Sequence, residues 1–140
     1  MPRRQVHQLI GGITGAAAAA KSLPEGHRDR DVLEVVGALL FGIIGGSVPD
    51  TAEPATSPNH RGIAHAAAPC AAGLAVLYPR SREWQAEMRS RADAERLKQG
   101  HTTLIEVLLR VVAGAPAGFL AGYASHLALD TFTPKSIALL

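Results

Sequence analysis

Cysteine is nearly absent. Cys70, in Ala-Pro-Cys-Ala-Ala, is the only one in 140 residues, which excludes an intrachain disulfide and any Cys-x-x-Cys zinc motif. A small buried hydrophobe is its ordinary role. Aromatic residues make up only 4% of the chain, and none interleave with basic residues to form a base-stacking platform. Charge of one sign scarcely prevails. The pI is near 9.0, yet the formal net charge is only +2, so composition does not argue for a nucleic-acid partner. Apolar and polar residues do not alternate, and neither an Asn-Gly turn nor an internal repeat occurs, which leaves β architectures without support. A phosphate-binding P-loop, a Gly-x-Ser-x-Gly elbow, a dinucleotide fingerprint and a Cys–His nucleophile pair are all missing. Arg3 and Arg4 precede a Gly/Ala run, but no Ala-x-Ala cleavage site stands in a clear context, so the N-terminus reads as mature sequence.

What is present is small and apolar. The chain is 47% hydrophobic, mostly Ala, Leu, Val and Ile, and its length suits one domain, residues 1–140. Four stretches, Val6–Ala20, Val32–Pro49, Gly62–Pro79 and Leu104–Leu129, are too long for strands and rich in helix formers. A fifth segment, Ser81–Gln99, reads as a solvated amphipathic helix with Trp84, Met88 and Ala92 at four-residue spacing and a Glu87–Arg91 pair. The clearest loop is Pro49–Asn59. The expected fold is all-α: a compact up-and-down bundle of four Ala/Gly-rich hydrophobic helices plus one polar amphipathic helix.

Charge-free runs of membrane-spanning length occur at Gly62–Pro79 and Val111–Leu129, whereas Val35–Pro49 falls short. Glu34, Glu106 and Arg110 interrupt the others. Gly114, Gly118 and Gly122 form two overlapping Gly-x-x-x-Gly motifs, which permit close helix contact in a membrane or in a soluble bundle. The reading is a membrane-associated helical bundle, integral or peripheral, with a soluble bundle as the alternative.

Short connections favour an up, down, up, down order. His7 then starts the first helix, Asp50 follows the second, His60 and His65 start the third, and His126 and Asp130 end the fourth. All six fall at one end of the bundle, and His27 and His101 fall at the other. Imidazole nitrogens and carboxylate oxygens suit zinc and comparable divalent ions. His126 and Asp130, four residues apart, project from one helix face. Read singly, each residue has an ordinary role: Asp130 a capping acid, His126 and His65 satisfied core histidines, His60 a polar loop residue, Asp50 the start of an Asx-turn. Together they predict a site for one or more divalent ions, with Asp50 and His65 as catalytic candidates and a metal-activated water as nucleophile.

At these residues the chain resembles the YdjM-like family, described as inner-membrane-associated, metal-dependent hydrolases with a LexA-binding member. The likeness runs through His7 and Gly11-Gly12, Gly45-Gly46-Ser47-Val48-Pro49-Asp50, and His60-Arg61-Gly62-Ile63-Ala64-His65. It ends on Gly122-Tyr123-Ala124-Ser125-His126-Leu127-Ala128-Leu129-Asp130-Thr131-Phe132-Thr133-Pro134. The family looks like a relative of the zinc-dependent phospholipase C and P1-type nuclease fold. The resemblance implies zinc ligation by His7, Asp50, His65, His126 and Asp130, with His60 close by. Ala52 stands where the family has a second acid, and Ala64 and Ala66 flank His65 where it has hydroxyls.

Two functions compete at this point. One is a membrane-associated metal-dependent hydrolase of a phosphoester or lipid-like ester, with membrane lipid and a small phosphoester or lipid as partners and room for a homo-oligomer. The other is a non-catalytic helical membrane or interaction protein with a degenerate or structural metal site. A nucleic-acid binder would rest on Arg80–Lys98, but six basic residues against four acids there suit a solvated helix face better. Were the four stretches to span a bilayer, Lys21, Arg28, Arg30 and the six basic residues of Arg80–Lys98 would lie on one side. Arg3, Arg4, Arg61 and Lys135 would lie with the metal layer, on the outer face by the positive-inside rule.

Overall fold

The computed structural model describes residues 4–26, 29–53 and 67–131, with the side chains of 67–69 set aside. Its helices are α1 (Arg4–Ala20), α2 (Val32–Gly45), the short α3 (Val48–Ala52), α4 (Ala67–Gln99) and α5 (Leu104–Thr131), with a 3₁₀ turn at Asp29–Asp31 leading into α2. There is no strand among the described residues, and the all-α expectation holds.

Local chemistry sets several of the ends. Gly100, at φ 73°, ends α4 with its N–H donating to the Arg96 carbonyl at 2.9 Å, a left-handed cap that glycine adopts without steric cost. Thr103 then caps α5, its hydroxyl oxygen accepting from the Glu106 N–H at 3.1 Å. Two boundaries differ from expectation. Helix α2 stops at Gly45 and Pro49 opens α3 instead of ending α2, because proline suits a first helical turn, where its missing N–H has no partner to lose. The expected loop Pro49–Asn59 is therefore helical at its start, and 54–59 lie outside the described residues. The stretches expected as Gly62–Pro79 and Ser81–Gln99 form one helix of 33 residues that runs through Pro79, about 50 Å long. An interior proline costs ~3 kcal/mol, yet α4 packs on α5 on both sides of it. Cys70 Sγ lies 3.4 Å from the Tyr123 hydroxyl, Trp84 Nε1 donates to the Val112 carbonyl at 3.2 Å, and Arg110 donates to Asp93 at 2.6 Å.

The core is a seam of small residues at four-residue spacing. On α1 the ridge is His7, Gly11, Gly15, Ala19; on α2 it is Glu34, Ala38, Gly42, Gly46; on α5 it is Arg110, Gly114, Gly118, Gly122, His126, Asp130. Residues so spaced share a helix face. Helices α2 and α5 run parallel in register: Gly114 lies against Glu34, Gly118 against Ala38 and Gly122 against Gly42. Helix α1 runs antiparallel to both, with Gly11 on Gly42 and Gly15 between Ala38 and Gly118. At each of these glycines a methyl group would collide with backbone of the facing helix, so the expected close contact at Gly114, Gly118 and Gly122 is observed.

Side chains are distributed inside out. Alanines dominate the buried apolar residues, whereas the largest fully buried side chains are Arg110, His7, His126, Gln85, Glu34, Glu106, Asp130 and Pro49. Leu9, Ile13, Leu40, Ile44, Val76, Leu104 and Ile105 face outward. Small residues between helices and large aliphatics outside are the arrangement of helices packed in lipid. Two segments are long and apolar enough to cross a membrane, Asp29–Ala52 and Leu104–Thr131. The first corrects the sequence reading that this region is too short. Glu34, which bounds the charge-free run, projects from α2 and is fully buried against Gln85 and Arg89 of α4. The buried stripe of α4 is also shifted from expectation: Ser81, Gln85, Met88 and Ala92 face inward, while Trp84 is 41% exposed.

Candidate metal centre

At the carboxyl ends of α2 and α5 the three ridges deliver His7, Gly46, His126 and Asp130 to one place, and α3 adds Asp50. His126 and Asp130 are fully buried and His7 nearly so, whereas the Asp50 side chain is 23% exposed. The His126 Nδ1–H donates to the Gly46 carbonyl at 2.7 Å. A carbonyl only accepts, so Nδ1 carries the proton and the Nε2 lone pair points away from it. It points at carboxylates: Asp50 Oδ1 lies 3.6 Å away and Asp130 Oδ2 3.5 Å away. The His7 ring stacks on the His126 ring with centroids 3.9 Å apart, and His7 Nε2 lies 3.6 Å from Asp130 Oδ1.

These separations exceed ordinary hydrogen bonds. They match the edges of a tetrahedron around an ion with bonds of ~2.0–2.2 Å, which are roughly 3.4 Å long. Ligand atoms of His7, Asp50 and His126 all fall within 4.8 Å of one another. Two carboxylates facing two stacked imidazoles offer the mixed oxygen and nitrogen donors that a divalent ion such as zinc prefers. The donor set thus fits a zinc-like ion. Four of the six residues expected at one end, His7, Asp50, His126 and Asp130, meet there. His60 and His65 lie outside the described residues, as does His27. His101 sits beyond α4, exposed, at the far end of the bundle.

A family model for the YdjM inner membrane protein matches residues 1–140, the whole chain. The chain belongs to the YdjM inner membrane protein family. No curated protein and no solved structure gives a significant match. Membership and the two apolar helical segments locate this YdjM family member in the inner membrane.

That location makes the other end of the same ridges notable, and sequence reasoning missed it. Arg110, fully buried, is bonded to Asp31, to Asp93 at 2.6 Å and to Glu106 at 3.2 Å. Glu34, also fully buried, accepts from Arg89 at 2.8 and 2.7 Å and from Gln85 at 2.8 Å. Arg30 and Arg96 approach Glu106 at 3.7 and 3.9 Å. Four arginines thus meet four acids, a formally neutral cluster joining α2, α4 and α5, as ionisable groups among membrane helices require. In the sequence these residues read as interruptions of hydrophobic stretches. The signal that finds them is Glu34 and Arg110 standing four residues before the first small residues of the α2 and α5 ridges.

Proposed function

We propose that this inner-membrane protein is a metal-dependent hydrolase of a phosphoester or lipid-like ester. His7, Asp50, His126 and Asp130 would hold a divalent ion, zinc by its donor preference, and the family resemblance adds His65 as a ligand with His60 close by. The observation that carries this reading is the Gly46 carbonyl on His126 Nδ1, because it aims Nε2 at the two carboxylates. A ligating histidine is commonly oriented in this way by an acceptor on its other nitrogen. A bound ion supplies Lewis acidity that makes water nucleophilic at neutral pH. Asp50, the one partly exposed member, would serve as the general base that takes a proton from the attacking water, with His65 as the second catalytic candidate. His7 and Asp130 would hold the ion from the closed side, where the stacked imidazoles exclude solvent. Substrate approaches past Asp50.

A structural staple is the second reading, favoured by the burial of His7, His126 and Asp130, since structural zinc sites are closed. The two are separated by elemental analysis of purified protein together with turnover of a chromogenic phosphodiester and of phospholipid vesicles. Bound zinc with hydrolysis that chelation abolishes, added zinc restores and Asp50→Asn lowers supports the hydrolase. Bound zinc without hydrolysis supports the staple, and the absence of metal in protein purified with zinc present overturns both.

A further inference from the structure

Away from both buried clusters, a groove of about 560 Å³ runs between α2, α4 and α5, lined by Phe41, Leu77, Arg80, Trp84, Phe119 and Leu120 among others. It shares Leu77, Phe119 and Leu120 with a second hollow of about 220 Å³ that reaches Cys70 and Tyr123. Among the described residues, Arg80 is the only charged side chain lining either. It is exposed and takes no part in the ion pairs of the described residues, which engage Arg30, Arg89, Arg91, Arg96 and Arg110 instead. Its position on α4 is a boundary. Before it Val76 and Leu77 face outward; after it the exposed residues include Arg82, Glu83, Glu87 and Arg91. Basic residues with a half-exposed tryptophan at such a change of polarity mark the level of lipid headgroups.

We infer that this groove holds one acyl chain of an anionic membrane phospholipid whose phosphate rests on Arg80. The combined hollow has the size and apolar lining of a site for one chain. From Arg80 to Cys70 it follows α4 for about 15 Å, matching the ~15 Å that one half of a ~30 Å hydrocarbon core spans. The charge selects the occupant: an apolar floor accepts any acyl chain, whereas an unpaired guanidinium at the mouth favours a headgroup with net negative charge. This site is separate from the metal centre and holds its lipid whether or not an ion is bound there.

Trp84 is the only tryptophan in the chain, so its fluorescence reports on the groove. The full chain is reconstituted in phosphatidylcholine vesicles containing either phosphatidylglycerol brominated on its acyl chains or equally brominated phosphatidylcholine. Brominated phosphatidylglycerol should quench Trp84 at a mole fraction about fivefold lower than brominated phosphatidylcholine, the selectivity of one basic residue at an anionic surface. Arg80→Gln should abolish that difference and Arg80→Lys should keep most of it. Because Arg80 is exposed, neither change disturbs the core. Equal quenching by the two lipids, no quenching by either, or a preference unchanged in Arg80→Gln would each overturn the proposal. As a second readout, phosphatidylglycerol copurifying with the protein in detergent should fall in Arg80→Gln; undiminished retention would also count against it.

Discussion

Which nitrogen of His126 carries its proton is decided by the Gly46 carbonyl, which is available because α2 has already ended at Gly45. Gly46 is the next residue on the α2 ridge, so its oxygen faces α5 where Gly122 would be followed by one more glycine, and His126 stands there instead. Asp130, one turn on, lies within 3.6 Å of Nε2 atoms on both histidines. Asp130→Asn keeps the shape and removes one formal charge. Zinc affinity, measured by competition with a chelating dye, should fall by at least about 10- to 100-fold, the loss that follows when even a group that only orients a metal ligand is altered. At the other end Glu34→Gln leaves Arg89 and Arg110 facing a neutral amide. Loss of a partner from a buried ion pair costs about 3–5 kcal/mol, and thermal unfolding in detergent should show a corresponding fall in apparent Tm. That Glu34 is a partner at all was not readable in the sequence. Its contacts lie 51 and 55 positions away, at Gln85 and Arg89, and a lone acid in an apolar run looks the same whether it faces lipid, water or an arginine.

Elements were more legible than their joints. Four-residue spacing of Gly114, Gly118 and Gly122 announced a close packing face, and the one-end gathering of His7, Asp50, His126 and Asp130 followed from helix order alone. The merger of the third stretch with Ser81–Gln99 did not, because the local penalty at Pro79 is visible in sequence while the antiparallel contacts of α4 along α5 are not. The α5 seam also makes a sharper prediction than its sequence did. At Gly118 even a methyl group meets the Ala38 backbone, which cannot rotate aside, so Gly118→Ala should destabilise the fold by on the order of 3 kcal/mol, the upper range of overpacking. It should also weaken zinc binding, since the ridge positions His126. Gly73, inside α4, has nothing within 4 Å of an added methyl, and Gly73→Ala should stabilise by about 0.5–1 kcal/mol through reduced chain entropy. Denaturation of the two variants in parallel checks both signs.

For the whole molecule the question is which end faces which compartment. The ion cluster and the exposed basic residues of α4 lie at one end, the candidate metal centre at the other. The positive-inside rule counts Lys and Arg without regard to acids, so the cluster's arginines still place that end in the cytoplasm. In a Cys70→Ala background, Thr51→Cys on α3 should react with a membrane-impermeant maleimide in intact cells, and Ser90→Cys on α4 only after permeabilisation. The opposite pattern would reverse the orientation.

The seam between the two ends has an electrical consequence. Where Gly114, Gly118 and Gly122 touch α2, not even a methyl group fits, and a water molecule needs comparable room. Along this seam, the two polar clusters therefore share an axis without sharing a water file. A carboxylate at one end and an imidazole at the other are insulated by backbone packed on backbone, across roughly 24 Å of α5 from Arg110 to His126. A membrane protein with ionisable groups at both ends of one helix pair can in this way keep the proton gradient across its bilayer from leaking through its own interior.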